Sequence, residues 1–219
     1  MTPRWVIVGK VVLWLGCLAP FALLVLGATG VSGSLGANPV EEILNTCGKT
    51  GLNLLMLTLS VTPIRRSTGI NRLISFRRPL GLFAFFYLVL HFLTYALLDL
   101  QLAWDTVFED IVKRPYITVG FTALLLLVPL AATSTRALQR KLGRNWAKLH
   151  RLVYVIGILA VVHYWWQVKL DVAEPALYAF LLAVLLGWRL WQRSVHAKAA
   201  MAASNERVEP PKARHETRS

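Results

Sequence analysis

Two histidines lie at matching depth in hydrophobic segments of the chain, and their type and position suggest cofactor chemistry. His91 lies in FYLVLHFLTYALL and His163 in IGILAVVHYWWQV. Ionisable side chains at membrane depth are rare and usually functional. Neutral imidazole is the commonest protein ligand of metals and also binds haem iron, so a facing pair predicts a b-type haem with two axial histidines. The alternative is a pair of hydrogen-bonded histidines that only pack in the core.

The depth of each histidine follows from the rise of a helix. Pro79 opens one apolar segment and His91 comes twelve residues later, about 18 Å along a helix axis. His163 comes thirteen residues after His150, about 20 Å along its helix. Two helices that run in the same direction and offer imidazoles at one level can hold a porphyrin between them.

The composition predicts the membrane helices that must position these rings. Hydrophobic residues make up 56% of the 219, charged residues only 16%, and the mean hydropathy is +0.53. These values are typical of an integral membrane protein. Segments near the length that a spanning helix needs predict an all-α bundle of six transmembrane helices, at 5–29, 48–63, 80–99, 116–133, 150–167 and 175–192.

Basic residues predict the orientation of the bundle. The connections at 64–79 and 134–149 each carry five Lys or Arg residues and no acid, whereas the acidic residues collect in the other connections. Because Lys and Arg beside a span stay on the cytoplasmic side, both connections are expected inside. Arg4 and the basic segment after Arg189 place both termini in the cytoplasm, which agrees with an even number of spans.

The net charge of +13 does not indicate nucleic-acid binding, because the basic residues lie mainly in juxtamembrane loops and the tail. The polar, proline-bearing tail at 196–219 is expected to be disordered, which leaves residues 1–195 as the membrane domain. Cys17 and Cys47 form no C-x-x-C-H motif, so covalent haem attachment is not expected, and both are predicted to be unpaired thiols. The first apolar segment is too long for a signal peptide and is expected to be retained.

The inner end of the bundle offers only part of a second haem site. His150 lies thirteen residues before His163, but the same interval before His91 falls on Arg78 and Arg77. A second haem with two histidine ligands is therefore not predicted. The two guanidinium groups are suited to haem propionates, a flavin phosphate or a lipid phosphate, and retention on the cytoplasmic side explains them equally well.

Motifs of soluble catalysis are missing, with no G-x-S-x-G, H-E-x-x-H, Walker loop or G-x-G-x-x-G. A six-coordinate haem suits one-electron transfer, because both axial positions are filled. The chain is therefore expected to be an electron carrier whose catalytic partner is a separate protein. The alternatives are a proton-coupled transporter or channel that uses the two histidines, which usually needs acidic partners at membrane depth, and a structural anchor for another enzyme.

Longer motifs resemble the MsrQ (YedZ) family, within the ferric reductase-like transmembrane superfamily. The resemblance covers about residues 8–190. It is carried by NPVEEIL, LTLSVTPIRR, RRPLGLFAFFYLVLHFLTY, RPYITVGF and TSTRALQRKLGRNWAKLHRLVYVIGILAVVHYWWQVK.

The resemblance implies a function in the bacterial inner membrane. Family members bind haem b, are associated with FMN, and pass electrons from quinol or a cytosolic flavin reductase to MsrP. MsrP is a periplasmic molybdopterin enzyme that reduces methionine sulfoxide. The resemblance marks His91 and His163 as haem ligands and His150 as a third haem-associated position, and it places Arg77 and Arg78 near the inner end.

The sequence departs from the family pattern at one position. Where the family has H-x-T-G before the second span, this chain has Asn45, Thr46, Cys47 and Gly48. Asn45 cannot bind iron as an imidazole does, so any role of that family histidine does not carry over to this chain.

Overall fold

The protein, described here by a computed structural model, is a bundle of α-helices. The structure describes residues 4–31, 35–168 and 171–208, and these contain no β-strand. The α-helices within these ranges are α1 (Arg4–Ala28), α2 (Pro39–Thr68), α3 (Ile74–Leu93), α4 (Trp104–Lys113), α5 (Pro115–Ala132), α6 (Arg136–Leu142), α7 (Arg144–Leu149), α8 (Leu152–Gln167) and α9 (Ala173–Val208). The predicted all-α class is confirmed.

Five helical segments within the described ranges are long and apolar enough to cross a membrane. They are Arg4–Ala28, Asn71–Asp99, Pro115–Ala132, Arg144–Gln167 and Ala173–Val195. Each of them contains or overlaps one of the predicted spans. The second predicted span, 48–63, lies inside α2, which is not among the five.

Local sequence signals set the ends of α2. Asn38 caps its first turn by accepting a hydrogen bond from the Glu41 main-chain nitrogen at 3.3 Å, and Pro39 occupies the first helical position, where its missing N–H costs nothing. The helix ends at Gly69, whose φ of 72° is left-handed and favours glycine. Arg65 and Arg66 lie in the last turn, where the helix dipole favours positive charge.

The helices pair into two hairpins. α2 packs mainly against α3, and α5 packs mainly against α8. The middle of α2 is buried, with Leu55 and Leu59 at most 1% exposed. A central position explains why α2 can be less apolar along its length than the helices around it, since much of its surface contacts protein.

Tyr87 joins α1 to the first hairpin. Its hydroxyl donates to the Cys17 main-chain oxygen at 2.6 Å and accepts from the Phe21 main-chain nitrogen at 3.1 Å. The contact lies beside Pro20, which lacks an N–H and therefore removes one main-chain hydrogen bond from this turn of α1. Cys17 and Cys47 are buried and unpaired, as predicted.

Arg189 joins α9 to both hairpins. Its guanidinium donates to the Leu59 main-chain oxygen in α2 at 2.6 Å and to the Tyr154 hydroxyl in α8 at 2.8 Å. The helix continues as far as Val208, beyond the division predicted at 195. Residues 209–219 lie outside the described residues, so the disordered tail stays a prediction.

Candidate cofactor site

His91 lies near the end of α3 and is fixed by the main chain of α2. Its Nδ1 is 2.9 Å from the Leu44 carbonyl oxygen. Since a carbonyl oxygen only accepts, Nδ1 carries the proton and donates it. This leaves Nε2 as the nitrogen with a free lone pair. A π-helical turn, Thr94–Asp99, begins three residues after the histidine, and such turns are frequent at functional sites.

His163 has the same arrangement in the second hairpin. Its Nδ1 donates to the Tyr116 carbonyl oxygen in α5 at 2.7 Å, so Nε2 is again the nitrogen with a lone pair. Neither Nε2 has a hydrogen-bond partner among the described residues. Histidines that bind metals usually donate their other ring N–H to a carbonyl or carboxylate, which fixes the tautomer and the ring orientation.

A glycine accommodates each ring. A Cβ added at Gly48 would lie 2.9 Å from the His91 Nδ1 atom, and one added at Gly120 would lie 2.6 Å from the His163 Nδ1 atom. Both distances are shorter than real side chains tolerate. Glycine at these two positions therefore lets each imidazole lie directly against the neighbouring helix.

The two hairpins are copies of one arrangement. His163 follows His91 by 72 residues, and Gly120 follows Gly48 by 72. The same interval separates Leu44 and Tyr116, whose carbonyl oxygens accept the two imidazole hydrogen bonds. Both glycines lie in a T-x-G-x-T motif, TCGKT at 46–50 and TVGFT at 118–122. The second hairpin therefore repeats the contacts of the first.

The two imidazoles face one cavity between the hairpins. The cavity has a volume of about 360 Å³ and is lined by residues of α2, α3, α5 and α8, within the usual range of ligand sites. The ring centroids are 6.2 Å apart and the ring planes are 81° apart. The deeper lining is apolar, formed by Leu52, Leu88, Leu124, Ile156 and Ala160.

This geometry fits a haem iron bound by both rings. A metal–imidazole bond is about 2 Å long and a ring nitrogen lies about 1 Å from the ring centre, so two imidazoles on opposite sides of one ion have centroids about 6 Å apart. The observed 6.2 Å agrees. The described residues contain no group of three or more His, Cys, Asp or Glu side chains that could hold a bare metal ion. A porphyrin would supply the remaining iron ligands, and His91 and His163 would hold the iron from the protein side.

Polar networks surround the cavity at the end where α2 and α5 begin and α3 and α8 end. Glu174 accepts hydrogen bonds from Lys49 at 2.6 Å and from the Tyr164 hydroxyl at 2.5 Å. Asp110, which is buried, accepts from Arg114 at 2.9 Å and from the Tyr95 hydroxyl at 2.7 Å. We call this end the mouth of the cavity.

The other predicted site residues lie at the opposite end. His150 follows α7 directly, stacks on Trp146 at 3.9 Å between ring centroids, and does not line the cavity. Arg77 is half-buried in α3, within electrostatic range of His150 and Arg189, and Arg78 is exposed. The structure therefore brings His91 and His163 together and separates His150, Arg77 and Arg78 from them.

Several groups that contact the two imidazole rings were not predicted from the sequence. They are Gly48, Gly120 and the carbonyl groups of Leu44 and Tyr116. A comparison of the chain with itself at the spacing of the two histidines finds the glycines through the repeated T-x-G-x-T motif. Asn45, the departure from the family pattern, lines the cavity with Lys49.

Comparison with known proteins shows close relatives along nearly the whole chain. The family described as ferric reductase like transmembrane component matches residues 47–161. A relative named protein-methionine-sulfoxide reductase heme-binding subunit MsrQ, from Xanthomonas campestris pv. campestris strain 8004, is 56% identical over 193 residues, 86% of this chain and 88% of the relative.

Two further relatives carry the same name. The protein from Xanthomonas axonopodis pv. citri strain 306 is 51% identical over 216 residues, 97% of each chain. The protein from Ralstonia nicotianae is 53% identical over 186 residues, 83% of this chain and 84% of the relative. No solved structure matches the chain significantly.

Proposed function

Because the chain belongs to the MsrQ family, within the ferric reductase-like transmembrane proteins, we propose that it binds a b-type haem between His91 and His163 and carries electrons for a methionine-sulfoxide reductase. One observation carries this proposal. Two imidazoles on separate hairpins, each fixed through Nδ1 to the main chain, face one apolar cavity at a centroid separation of 6.2 Å. A pair that only packed in the core would have no need of two free Nε2 atoms.

The chain's own residues account for the requirements of an electron carrier. The Leu44 and Tyr116 carbonyls hold both rings in the tautomer that can bind iron. Apolar side chains keep water from the deep side of the cavity. Haem held by two axial imidazoles supplies reversible one-electron chemistry, with no open position for a substrate.

We propose that the chain crosses the membrane six times and that both termini lie in the cytoplasm. In this proposal α2 spans the membrane in addition to the five helical segments named above. Support for α2 comes from its 30-residue length and its buried middle between α3 and the second hairpin. Its dipole is complemented at both ends, by Glu41 and Glu42 in the first turn and by Arg65 and Arg66 in the last. With the basic connections inside, the mouth of the cavity faces the periplasm of a bacterial inner membrane.

The proposed acceptor is MsrP, the periplasmic molybdopterin enzyme that reduces methionine sulfoxide. The proposed orientation supports this direction, because His91 and His163 both line the cavity whose mouth is assigned to the periplasmic side. Sulfoxide reduction then occurs on the partner, and this chain acts as the electron-transfer subunit.

The proposed donor is quinol or a cytosolic flavin reductase, with FMN as a second cofactor. The cytoplasmic end supports an anionic group, because Arg189 lies within electrostatic range of both Arg77 and Arg193 there. A flavin phosphate or an acidic reductase surface would relieve that repulsion. His150, which lies within electrostatic range of Arg77, belongs to this proposed inner site.

The test is a dithionite-reduced minus oxidised visible spectrum of the detergent-purified protein with His91→Ala and His163→Ala. His215→Ala, in the tail, is the matched control. We expect a sharp b-type α band in the wild type and the control and its loss in both ligand variants. Added imidazole should restore part of the band to His91→Gly and His163→Gly, which separates a lost ligand from a lost fold.

Other outcomes favour the alternative functions. A colourless wild-type protein from haem-supplied cells would overturn the proposal. It would favour a transporter or channel in which the two histidines carry protons. A haem that stays in both variants would place its ligands elsewhere. A haem-loaded protein whose His91→Ala form still supports sulfoxide reduction by the partner would indicate an anchor.

A further inference from the structure

The mouth of the cavity carries two cations that the iron site itself does not use. Lys49 and Arg114 are the only lysine or arginine among the described residues that line the cavity. Asp99 lines the same end. In the part of the chain that the structure describes, no Lys or Arg lines the deeper, apolar part.

Each cation lies beside one of the two histidine contacts. Lys49 directly follows Gly48, the residue against which the His91 ring lies. Arg114 comes two residues before Tyr116, whose carbonyl accepts the His163 N–H. The two hairpins therefore each supply one imidazole and, next to its main-chain contact, one cation.

Both cations keep donors free. Arg114 uses Nε for Asp110 at 2.9 Å, and its Nη1 makes only a long contact of 3.4 Å with the Tyr116 hydroxyl. Among the described residues Lys49 has one partner, Glu174 at 2.6 Å, and both side chains are about half exposed. An ammonium carries three N–H donors and a guanidinium five, so each can bind a second carboxylate without losing the first.

A b-type haem brings two carboxylates into this cavity. A carboxylate buried without a partner is very costly, and the deep lining is apolar. The propionates must therefore point to the mouth, where Arg114 is held in place by the buried Asp110.

We infer that Lys49 and Arg114 bind the two propionates of the haem, one cation for each propionate. The inference rests on the proposed function, since it requires a haem between His91 and His163. It assigns these two residues a role in cofactor retention and in setting the iron potential.

The experiment compares haem b with its dimethyl ester, in which both propionates are neutral. Apoprotein of the wild type, Lys49→Gln, Arg114→Gln and the double variant is reconstituted with each haem. The rate of haem loss to apomyoglobin and the midpoint potential are then measured. Lys113→Gln is the control, because Lys113 adjoins Arg114 but pairs with Glu109 and does not line the cavity.

With haem b, we expect each variant to lose haem about three- to tenfold faster than the wild type, the range for a partly exposed charge-assisted hydrogen bond. The double variant should lose it faster still. Removing a positive charge disfavours the added electron, so the potential should fall. With the dimethyl ester, the wild type and the variants should lose haem at similar rates, because the cations have no carboxylate to bind.

Two results would overturn the inference while leaving the iron site intact. One is a b-type spectrum with unchanged haem loss in the double variant. The other is an equal effect of the substitutions on haem b and on the ester. Failure of the proposed function differs visibly from both, because no b-type spectrum would form in the wild type.

Discussion

The imidazole rings of His91 and His163 stand nearly perpendicular, with 81° between their planes. Perpendicular axial imidazoles keep the two interacting iron orbitals close in energy, which makes the ferric EPR signal strongly anisotropic. We therefore expect a highly anisotropic low-spin signal from the oxidised protein at liquid-helium temperature. A rhombic low-spin signal would contradict the observed ring angle, and a high-spin signal would mean that only one ring binds iron.

Alanine at Gly48 or Gly120 should reduce haem binding. The added methyl would lie 2.9 Å from the His91 ring or 2.6 Å from the His163 ring, so each ring would have to move, and Gly120→Ala should be the more severe change. The haem-to-protein ratio of the purified variants measures this. Gly187→Ala is the control, because nothing lies within 4 Å of its added Cβ. Equal haem content in all three variants would contradict the close approach.

Removal of the Tyr87 hydroxyl should loosen α1 without changing the haem spectrum. Tyr87→Phe deprives the Cys17 oxygen and the Phe21 nitrogen of a shared partner, at a cost of about 1–3 kcal/mol for buried groups. The thermal midpoint in detergent should fall. Tyr178→Phe, which loses only an exposed bond to Asn53, should change the midpoint less. An identical change in both variants would argue against a docking role for Tyr87.

Lysine should not replace Arg189. The guanidinium reaches Leu59 in α2 and Tyr154 in α8 at the same time, and a single ammonium cannot reproduce that fork. Arg189→Lys should lower the free energy of unfolding by about 1–3 kcal/mol, measured by chemical denaturation in detergent. Arg193→Lys, an exposed change on the same helix, is the control and should have little effect.

His150→Ala should retain the haem bound by His91 and His163. The His150 ring stacks on Trp146 at the opposite end of the bundle and does not line the cavity. The α band should keep its position and most of its intensity, in contrast with the two ligand variants. A loss of half the haem would instead indicate a second, inner haem with His150 as a ligand.

Sequence reasoning predicted the all-α class and the pairing of His91 with His163, because hydropathy and helical rise are local properties of a chain. It placed a span within α2 from 48 to 63, whereas the helix runs from Pro39 to Thr68. Polar residues in the turns at both ends lower the mean hydropathy of α2, so a hydropathy window detects only its middle. The full length of the helix becomes visible only from the structure.

The main-chain groups that hold the two histidine rings could not be predicted from residue types. Leu44 and Tyr116 act through carbonyl groups, which every residue carries, so their side chains give no signal. The sequence does not mark Lys49 and Arg114 as cavity residues, because their position at the cavity depends on how the two hairpins meet. The sequence did contain one unused signal, the T-x-G-x-T motif that recurs at the spacing of the histidines.

The origin of the two imidazoles in separate hairpins has a consequence for biogenesis. During translation, the nascent chain presents one of the two proposed haem ligands when α3 has been made and lacks the other for the next 72 residues. Capture of haem by both ligands must therefore wait until α8 has entered the membrane. The proposed haem would then join the early and the late half of the protein, so a shortage of haem during growth should leave inserted bundles that lack this link and are degraded by membrane proteases.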